Sequence, residues 1–455
     1  MTADFAYFEQ FTNVEKSTRA SVKFRLDRMV TLLGDFADPQ NNMALVHVAG
    51  SKGKGMTSAF TAALLADALG EPVGIYASPH IEDYRERIRL SLPAMTDYRD
   101  GFFPAAVYEE GITRIQRYLK NRSMQPTTFE LLTLLAFILF RAQKIHWAVI
   151  EVGLGGRLDS TNVIEPQLCI ITPLEIEHSQ YLGNTIEEIA GEKAGIIKQG
   201  IPVLSQKQDA AAERVIRKKA QELKAPCYFF TDFAHTEKYP PFNTVLTPPY
   251  AHENACLAYL AYHLLQKHSL QKHSQRNMPV LNLNPEQALQ SIGRTVLPGR
   301  FEQHNLSIRT NRKGEQAVQK PIIMDAAHTP ASIRAFLTGL KIIRNQHPEK
   351  TLTIIFSALE DKDCRTMLEY IMEVCNILII TGCGSFKRAD ITELTEIARQ
   401  IAENKPRIKL RVIHEADKAL HTVLESSEND IVAICGSFYL IGEMHRALKK
   451  YKGVP

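Results

Sequence analysis

Short apolar runs that alternate with helix-like segments constrain the fold of this chain most. The predicted strands and helices follow one another at residues 44–49, 54–69, 73–77, 127–143, 147–152, 168–172 and 185–198. A strand without polar residues is buried on both faces, and a helix between strands returns the chain so that the strands lie parallel. The sequence therefore predicts an α/β fold with helices covering a parallel sheet.

A second α/β pattern begins after Leu297-Pro298-Gly299-Arg300, where we expect a domain boundary. Its predicted strands are 322–325, 352–356, 377–381, 410–414 and 431–435. At 455 residues the chain is too long for one ordinary core. We expect an N-terminal domain over 1–297 and a smaller Rossmann-like domain over 298–455. The polar stretch 268–284 is interpreted as an exposed loop.

Composition excludes several classes of protein. The net charge is +4, from 54 basic and 50 acidic residues, which does not favour nucleic acid or a membrane as the partner. No apolar stretch reaches the ~20 residues that span a bilayer, and no signal peptide is recognised at the N-terminus. The seven cysteines include no C-x-x-C pair, as expected for thiols in a reducing compartment. We expect a cytoplasmic protein.

A glycine-rich turn joins the first strand to the first helix of this pattern. Its sequence is Gly50-Ser51-Lys52-Gly53-Lys54-Gly55-Met56-Thr57. Glycines let backbone amides approach phosphate oxygens, and the helix N-terminus favours an anion. Val48 stands where a full Walker A motif needs glycine. The turn predicts a P-loop-type nucleotide site, and an ordinary strand-to-helix turn remains the alternative.

Carboxylate and hydroxyl groups follow other strands. Glu151 ends the strand 147–152 at the edge where open α/β sheets bind ligands, and beside a phosphate loop it is a candidate Mg²⁺ ligand. Ser78 and His178 also follow strands. Taken alone, each of these residues is also compatible with an ordinary structural role in a turn.

The ordered motifs resemble the folylpolyglutamate synthase/dihydrofolate synthase family of the Mur ligase superfamily. The resemblance rests on these segments, in order: 47–55 (HVAGSKGKG), 78–80 (SPH), 86–89 (ERIR), 126–130 (PTTFE), 151–162 (EVGLGGRLDSTN), 178, 192–198 (EKAGIIK), 297–302 (LPGRFE), 325–328 (DAAH), 359–363 (LEDKD) and 436–440 (GSFYL). It implies a Mur ligase-like pair of domains, an N-terminal ATPase domain and a C-terminal glutamate-ligase domain.

The resemblance also implies roles for matching positions. ATP would be held by Gly53, Lys54, Gly55, Met56, Thr57, Asn254, Arg300 and Asp325. Mg²⁺ would be held by Ser78, Glu151 and His178. The binding site for folate or pteroate would be lined by Thr127, Thr128, Phe129, Glu130, Leu158, Asp159 and Ser160. The catalytic residues would be Lys54, Lys193 and His328, with Lys193 either a carbamate or an ammonium that pairs with phosphate.

The activity implied is ATP-dependent addition of L-glutamate to a folate-type carboxylate through an acyl phosphate, by a monomer. The order of motifs does not separate dihydrofolate synthesis from glutamate-chain extension. Two alternatives stay open. One is a ligase acting on a peptidoglycan precursor, and the other is a catalytically silent nucleotide-binding paralogue with a regulatory role. Met56 and Thr329, which depart from the family pattern, favour the silent paralogue.

Overall fold

The computed structural model describes residues 5–13, 25–233, 248–276, 281–309, 317–384, 390–403, 405, 407–426 and 430–452. The chain divides into two compact units. The first comprises Met1–Val245 and Glu253–Thr295, and the second comprises Leu246–His252 and Val296–Pro455.

A seven-stranded sheet organises the first unit. Its strands are β1 (Ala44–Ala49), β2 (Val73–Tyr76), β3 (Ile88–Ser91), β4 (Trp147–Glu151), β5 (Leu168–Ile171), β6 (Val203–Ser205) and β7 (Cys227–Phe229). Their order is β3-β2-β4-β1-β5-β6-β7. Strand β3 pairs antiparallel with β2, and the other pairings are parallel. The carboxyl ends of β1, β4 and β5 therefore meet at one edge of the sheet.

The described α-helices of this unit lie before, between and after its strands along the chain. They are α1 (Asp27–Asp35), α2 (Lys54–Leu69), α3 (Ala105–Leu119), α4 (Thr128–Ala142), α5 (Ser179–Leu182), α6 (Ile186–Ala194), α7 (Ala210–Glu222), α8 (Pro249–Arg276) and α9 (Pro285–Arg294). Nearly all of α4 is buried, in one apolar cluster with Tyr108 and Phe103. A second cluster packs α6 and α7 against β5.

The second unit is built on a six-stranded sheet. Its strands are β8 (Glu302–Arg309), β9 (Ala317–Asp325), β10 (Thr351–Phe356), β11 (Ile377–Ile380), β12 (Lys409–Val412) and β13 (Asp430–Cys435). Their order is β12-β11-β10-β13-β9-β8, and only the β8–β9 pairing is antiparallel among these strands. Its helices are α10 (Pro330–Gln346), α11 (Cys364–Ile371), α12 (Ile391–Glu403), α13 (Ala416–Glu425) and α14 (Phe438–Lys452). The predicted fold class is confirmed.

A buried ion pair links two strands of this sheet. Lys320 Nζ lies 3.1 Å from Asp430 Oδ1, and both side chains are at most 1% exposed. Lys320 also donates to the carbonyl oxygens of Val423 and Ser426. Removing either charge would leave the other without compensation in the interior.

The prediction of a loop over 268–284 was wrong in its first part, because α8 continues to Arg276. Its Gln, Lys and Leu residues are good helix formers, and polarity was mistaken for irregular backbone. The cysteines are all free thiols, of which Cys169, Cys256, Cys375, Cys383 and Cys435 are buried. Among the described helices, none has the length and apolar character needed to cross a bilayer.

Candidate active site

The glycine-rich loop after β1 requires glycine at two positions. Gly50 has a φ of +146°, and a Cβ there would lie 1.8 Å from Thr172 Oγ1. Gly53 has a φ of +84°, and a Cβ there would lie 2.3 Å from Asn254 Oδ1. Any side chain at either position would collide with a neighbouring element. The loop is thus held in one shape by close packing on both sides.

The N-terminus of α2 presents unused amides beside this loop. Gly53 caps the helix without a side-chain hydrogen bond, and the N–H of Thr57 donates to Gly53 O at 2.9 Å. The amides of Lys54, Gly55 and Met56 therefore have no acceptor within the helix. Such a helix terminus suits a phosphate group.

Two other loop amides serve as anchors. The N–H groups of Ser51 and Lys52 donate to Pro173 O at 2.9 and 3.2 Å. The Ser51 hydroxyl donates to Glu175 O at 3.1 Å and accepts from Glu175 N–H at 3.0 Å. The loop is consequently fastened to the segment that follows β5, and the amides that remain for an anion are those of α2.

Two lysines converge on the same carbonyl oxygen. Lys54 Nζ and Lys193 Nζ each donate to Gly50 O at 2.9 Å. Lys193, on α6, is buried and also lies 3.4 Å from Glu177 Oε1. The structure thus brings the two lysines predicted to be catalytic together at the loop.

These charges shift the pKa values of Lys193 and Glu177. Burial, assisted by the Lys54 charge, lowers the pKa of Lys193 to about 8. Burial opposes ionisation of Glu177, but Lys54, Lys193 and Lys52 outweigh it and lower the pKa of this carboxyl to about 2. A lysine with a pKa near 8 has a neutral fraction at physiological pH, which carbamate formation requires. Both forms of Lys193 stay predictions.

Asn254 lies against the loop from α8. Thr57 is buried and its hydroxyl donates to Asn254 Oδ1 at 3.3 Å, while Asn254 Nδ2 donates to Met56 Sδ at 3.6 Å. These contacts give Asn254 and Thr57 a supporting role in the structure. Direct contacts from them to a nucleotide stay predictions, and the backbone amide of Met56 is the group left to offer a phosphate.

The candidate metal ligand Glu151 faces the same helix terminus. It ends β4, is 3% exposed, and accepts from Ser78 N–H at 3.4 Å. A Cβ at Gly55 would lie 3.5 Å from Glu151 Oε2. A buried carboxylate next to an anion site would suit a divalent cation, which prefers oxygen ligands. His178 is exposed, in a left-handed conformation at the N-terminus of α5, beside Glu177.

A polar chain behind the loop was not foreseen from sequence. His47 Nε2 lies 2.9 Å from Thr161 Oγ1, and Thr161 donates to Asp159 Oδ1. Asp159 Oδ2 accepts the amides of Gly153 and Leu154, which follow Glu151. Burial raises the pKa of Asp159 despite these bonds. The chain connects β1 to the loop after β4, and a buried histidine in an apolar strand was its only signal.

The predicted substrate segment begins α4. Thr127 and Glu130 form a capping box, and Glu130 also pairs with Arg28 at 2.8 Å. The Thr128 hydroxyl donates to Phe8 O at 2.9 Å. Phe129 packs so closely on Gly153 that a Cβ there would lie 2.4 Å from its ring.

The second predicted substrate segment contacts α4 through Ser160. Ser160 is buried, with its hydroxyl 2.9 Å from that of Thr133, and Leu158 is half-buried. The observed contacts of both segments stabilise the fold around α4. Binding of a pteroate by either segment stays a prediction.

The second unit gathers its own predicted residues at the end of β9. Buried Asp325 accepts the Tyr250 hydroxyl at 2.6 Å and the amides of Phe301 and Ala327 at 2.8 Å. Burial raises the pKa of Asp325 and raises that of Tyr250 well above its ordinary value.

Arg300 and His328, two predicted site residues of this unit, both contact the ring of Phe438. The Arg300 guanidinium is 4.6 Å from the centre of the Phe438 ring, and the His328 ring centre is 5.5 Å from it. Thr329, one of the departures from the family pattern, caps α10 through a capping box with Ser332. That departure therefore has a structural use.

Comparison with known proteins supplies the family. Residues 308–438 match the family model "Mur ligase, glutamate ligase domain". The chain is 29% identical to the Bacillus subtilis dihydrofolate synthase/folylpolyglutamate synthase over 98% of this chain and 99% of that protein. The chain belongs to the folylpolyglutamate synthase/dihydrofolate synthase family.

Solved structures of this family share the fold. Escherichia coli FolC in complex with DHPP and ADP matches with a TM-score of 0.76 and 22% identity, over 98% of this chain and 97% of that one. The bifunctional folylpolyglutamate synthase/dihydrofolate synthase from Yersinia pestis, complexed with AMPPNP and Mn ion, matches with a TM-score of 0.72 and 24% identity, over 95% and 96%. The predicted membership of the folylpolyglutamate synthase/dihydrofolate synthase family is confirmed.

Proposed function

We propose that this protein is an ATP-dependent ligase that joins L-glutamate to folate-type carboxylates, with both dihydrofolate synthase and folylpolyglutamate synthase activity. The observation that carries the proposal is the likeness, over 98% of the chain, to a Bacillus subtilis enzyme of that double name. The loop geometry supports it independently, because amides of α2 and Lys54 offer a site for phosphates.

The chain's own groups suit transfer of the terminal phosphoryl group of ATP to a carboxylate. A carboxylate is a poor electrophile, and its acyl phosphate can be attacked by an amine. The amides of Lys54, Gly55 and Met56 would bind phosphate oxygens, and Lys54 would exchange its bond to Gly50 O for one to a phosphate. These groups stabilise charge as it moves during transfer.

We infer that Mg²⁺ is the natural divalent cation. Glu151 fits it as an oxygen ligand, and Ser78, whose backbone contacts Glu151, can add a hydroxyl. Exposed His178 is the third proposed ligand. When bound, the cation would neutralise phosphate charge. The Yersinia pestis relative was complexed with Mn ion, which takes similar ligands.

For the second unit we propose recognition of the incoming glutamate. Its family model is that of a glutamate ligase domain. Arg300 and His328, which both contact Phe438, can provide hydrogen-bond donors for the two carboxylates of glutamate, with Arg300 also supplying a positive charge. We further propose that the enzyme acts as a monomer in the cytoplasm, in keeping with its free thiols.

The proposal is tested by ATP-dependent incorporation of labelled glutamate, measured separately with dihydropteroate and with tetrahydrofolate. Both substrates are expected to accept glutamate, with ADP released only when folate and glutamate are both present. ADP release without that double requirement would instead support a silent nucleotide-binding paralogue. Activity on a muramyl nucleotide alone would support a peptidoglycan ligase.

The role of the loop is tested by Lys54→Ala. We expect loss of turnover by about 10²–10³-fold, as found when a group that stabilises transition-state charge is removed. Lys52→Ala is the matched control, because Lys52 belongs to the same loop and its amide serves as an anchor. Retained turnover in Lys54→Ala, with a native circular dichroism spectrum, would refute the assigned role.

A further inference from the structure

Three potential metal ligands of the second unit converge beside the turn at 297–300. Glu302 and His304 lie two residues apart on β8 and so share a face of the strand, while His445 lies on α14. The Nε2 atoms of His304 and His445 are 2.9 and 2.8 Å from Glu302 Oε1 and Oε2. The three ligand atoms all lie within 4.8 Å of one another.

We propose that Glu302, His304 and His445 form a binding site for a transition-metal ion of the zinc class. Two imidazoles and one carboxylate are a ligand set that zinc takes in proteins. Ligands ~2.1 Å from a tetrahedral ion lie about 3.4 Å apart. The separations of 2.9 and 2.8 Å between Glu302 and the two histidines reach that spacing with shifts of about half an ångström. The ligand nitrogens of the two histidines lie within 4.8 Å of each other, and side-chain rotation can bring them to the same spacing.

The surroundings resemble those of a built site. The side chains of Glu302 and His445 are 11% and 9% exposed, so a carboxylate and an imidazole are held away from bulk water. Glu302 Oε2 also accepts the Gly299 amide at 2.8 Å, which fixes the orientation of the carboxylate as metal ligands require. His304 is 25% exposed and gives an ion a path of entry and a place for a water ligand.

A metal here would act on a functional part of the unit. The same carboxylate that would bind it holds Gly299, and the next residues are Arg300 and Phe301, whose amide donates to Asp325. Binding would therefore stiffen the turn that carries Arg300. This role is separate from the cation at Glu151, because it uses ligands of the second unit only.

The test uses the full-length protein after treatment with a chelator. Zinc is titrated against a chromophoric chelator into the wild type, His304→Gln and His445→Gln. The matched control is His421→Gln, which removes an exposed histidine that also pairs with a glutamate, Glu425, at 3.1 Å. Cobalt is then substituted for zinc, and its visible absorption reports the coordination directly.

We expect the wild type and His421→Gln to bind one more ion than His304→Gln or His445→Gln, or to bind it at least about tenfold more tightly. Zinc should raise the melting temperature of the wild type and His421→Gln, and not that of His304→Gln or His445→Gln. Equal zinc affinity, stoichiometry and cobalt spectra in all four proteins would overturn the proposal. Should His445→Gln fail to fold, the more exposed His304→Gln decides the question alone.

Discussion

Glu177 interacts with three lysine charges in the first unit. It lies 3.4 Å from buried Lys193, and its carboxylate also feels Lys54 and Lys52. The carboxylate of Glu177 therefore partly neutralises these lysines in the absence of a phosphate.

Glu177→Gln is expected to remove an acid-sensitive part of the stability. The folded-state pKa of about 2 lies below the ordinary 4.5, so the carboxylate stabilises the fold above pH 4.5 and loses this effect as the pH falls toward 2. The difference corresponds to roughly 3 kcal/mol. Urea unfolding of variant and wild type across this pH range measures it. Exposed Glu109→Gln is the control, and an equal effect of both variants would contradict the prediction.

His47 should produce a second, higher window of acid sensitivity. Thr161 donates to Asp159, so His47 must donate from Nε2 to the Thr161 oxygen. The buried Nδ1 atom has no hydrogen-bond partner among the described residues, which disfavours a proton there. Burial, helped by the Lys198 charge, lowers its pKa to about 3 from 6.5. As the pH drops from 6.5 toward 3, His47 is protonated in the unfolded chain but stays neutral in the folded chain. The unfolded state then binds more protons, so the stability of the fold decreases over this range.

His47→Asn should flatten the pH dependence of unfolding between pH 6.5 and 3 while lowering stability at neutral pH. Nitrogen NMR of the wild type should show the neutral Nε2–H form well below pH 6. An imidazolium signal at pH 5 in the folded protein would contradict the assignment. His146→Asn, at an exposed histidine paired with Glu71, is the control.

At the scale of elements, α4 and α6 offer a matched pair of helix starts. Thr127 with Glu130 and Thr185 with Glu188 form the same capping box. Thr127→Ala and Thr185→Ala should each lower stability by about 1 kcal/mol. If Thr127 also lines the pteroate site, only Thr127→Ala raises the KM for dihydropteroate. Equal KM values in the two variants would leave Thr127 with capping alone.

Elements were predictable where the signal was local. The strands that became β1, β4, β10 and β13 were recognised because an apolar run is visible within a few residues. The antiparallel strand β8 was missed, because its alternating polar residues do not form such a run. Polarity likewise concealed the end of α8.

Contacts between distant residues were beyond the reach of the sequence. The loop could be recognised from its glycines, but the pairing of Lys193 with Glu177 and that of Tyr250 with Asp325 depend on how the chain folds back. The family resemblance identified Lys193 and Asp325 as site residues, but it did not identify Glu177 and Tyr250 as their partners. Such partners set the pKa values of the site, which residue patterns alone do not encode.

At the scale of the whole molecule, each unit has its own sheet and core, and their stabilities can be measured apart. The single tryptophan, Trp147, is buried in β4 of the first unit. Its fluorescence reports that unit, whereas circular dichroism reports both. The buried pair of Lys320 and Asp430 belongs to the second unit.

Lys320→Met should destabilise the second unit by about 3–5 kcal/mol, because it leaves Asp430 buried without its cation. In urea, part of the dichroism transition should move to lower concentration while the Trp147 fluorescence midpoint stays unchanged. Lys418→Met, which breaks the exposed pair with Glu415, should leave both midpoints nearly unchanged. A common shift of both probes would mean that the units unfold as one cooperative block.

The distribution of thiols has a practical consequence for following this enzyme at work. Cys227 in the first unit and Cys364 in the second are half-buried, whereas the other five cysteines are buried. Burial raises the pKa of both thiols to about 11, so little of either is the reactive thiolate at neutral pH. Maleimide dyes should therefore attach slowly, but to these two positions before the five buried ones, one on each unit and without engineered cysteines. A donor and an acceptor fluorophore placed there would turn any rearrangement on substrate binding into a change in energy transfer, readable one molecule at a time.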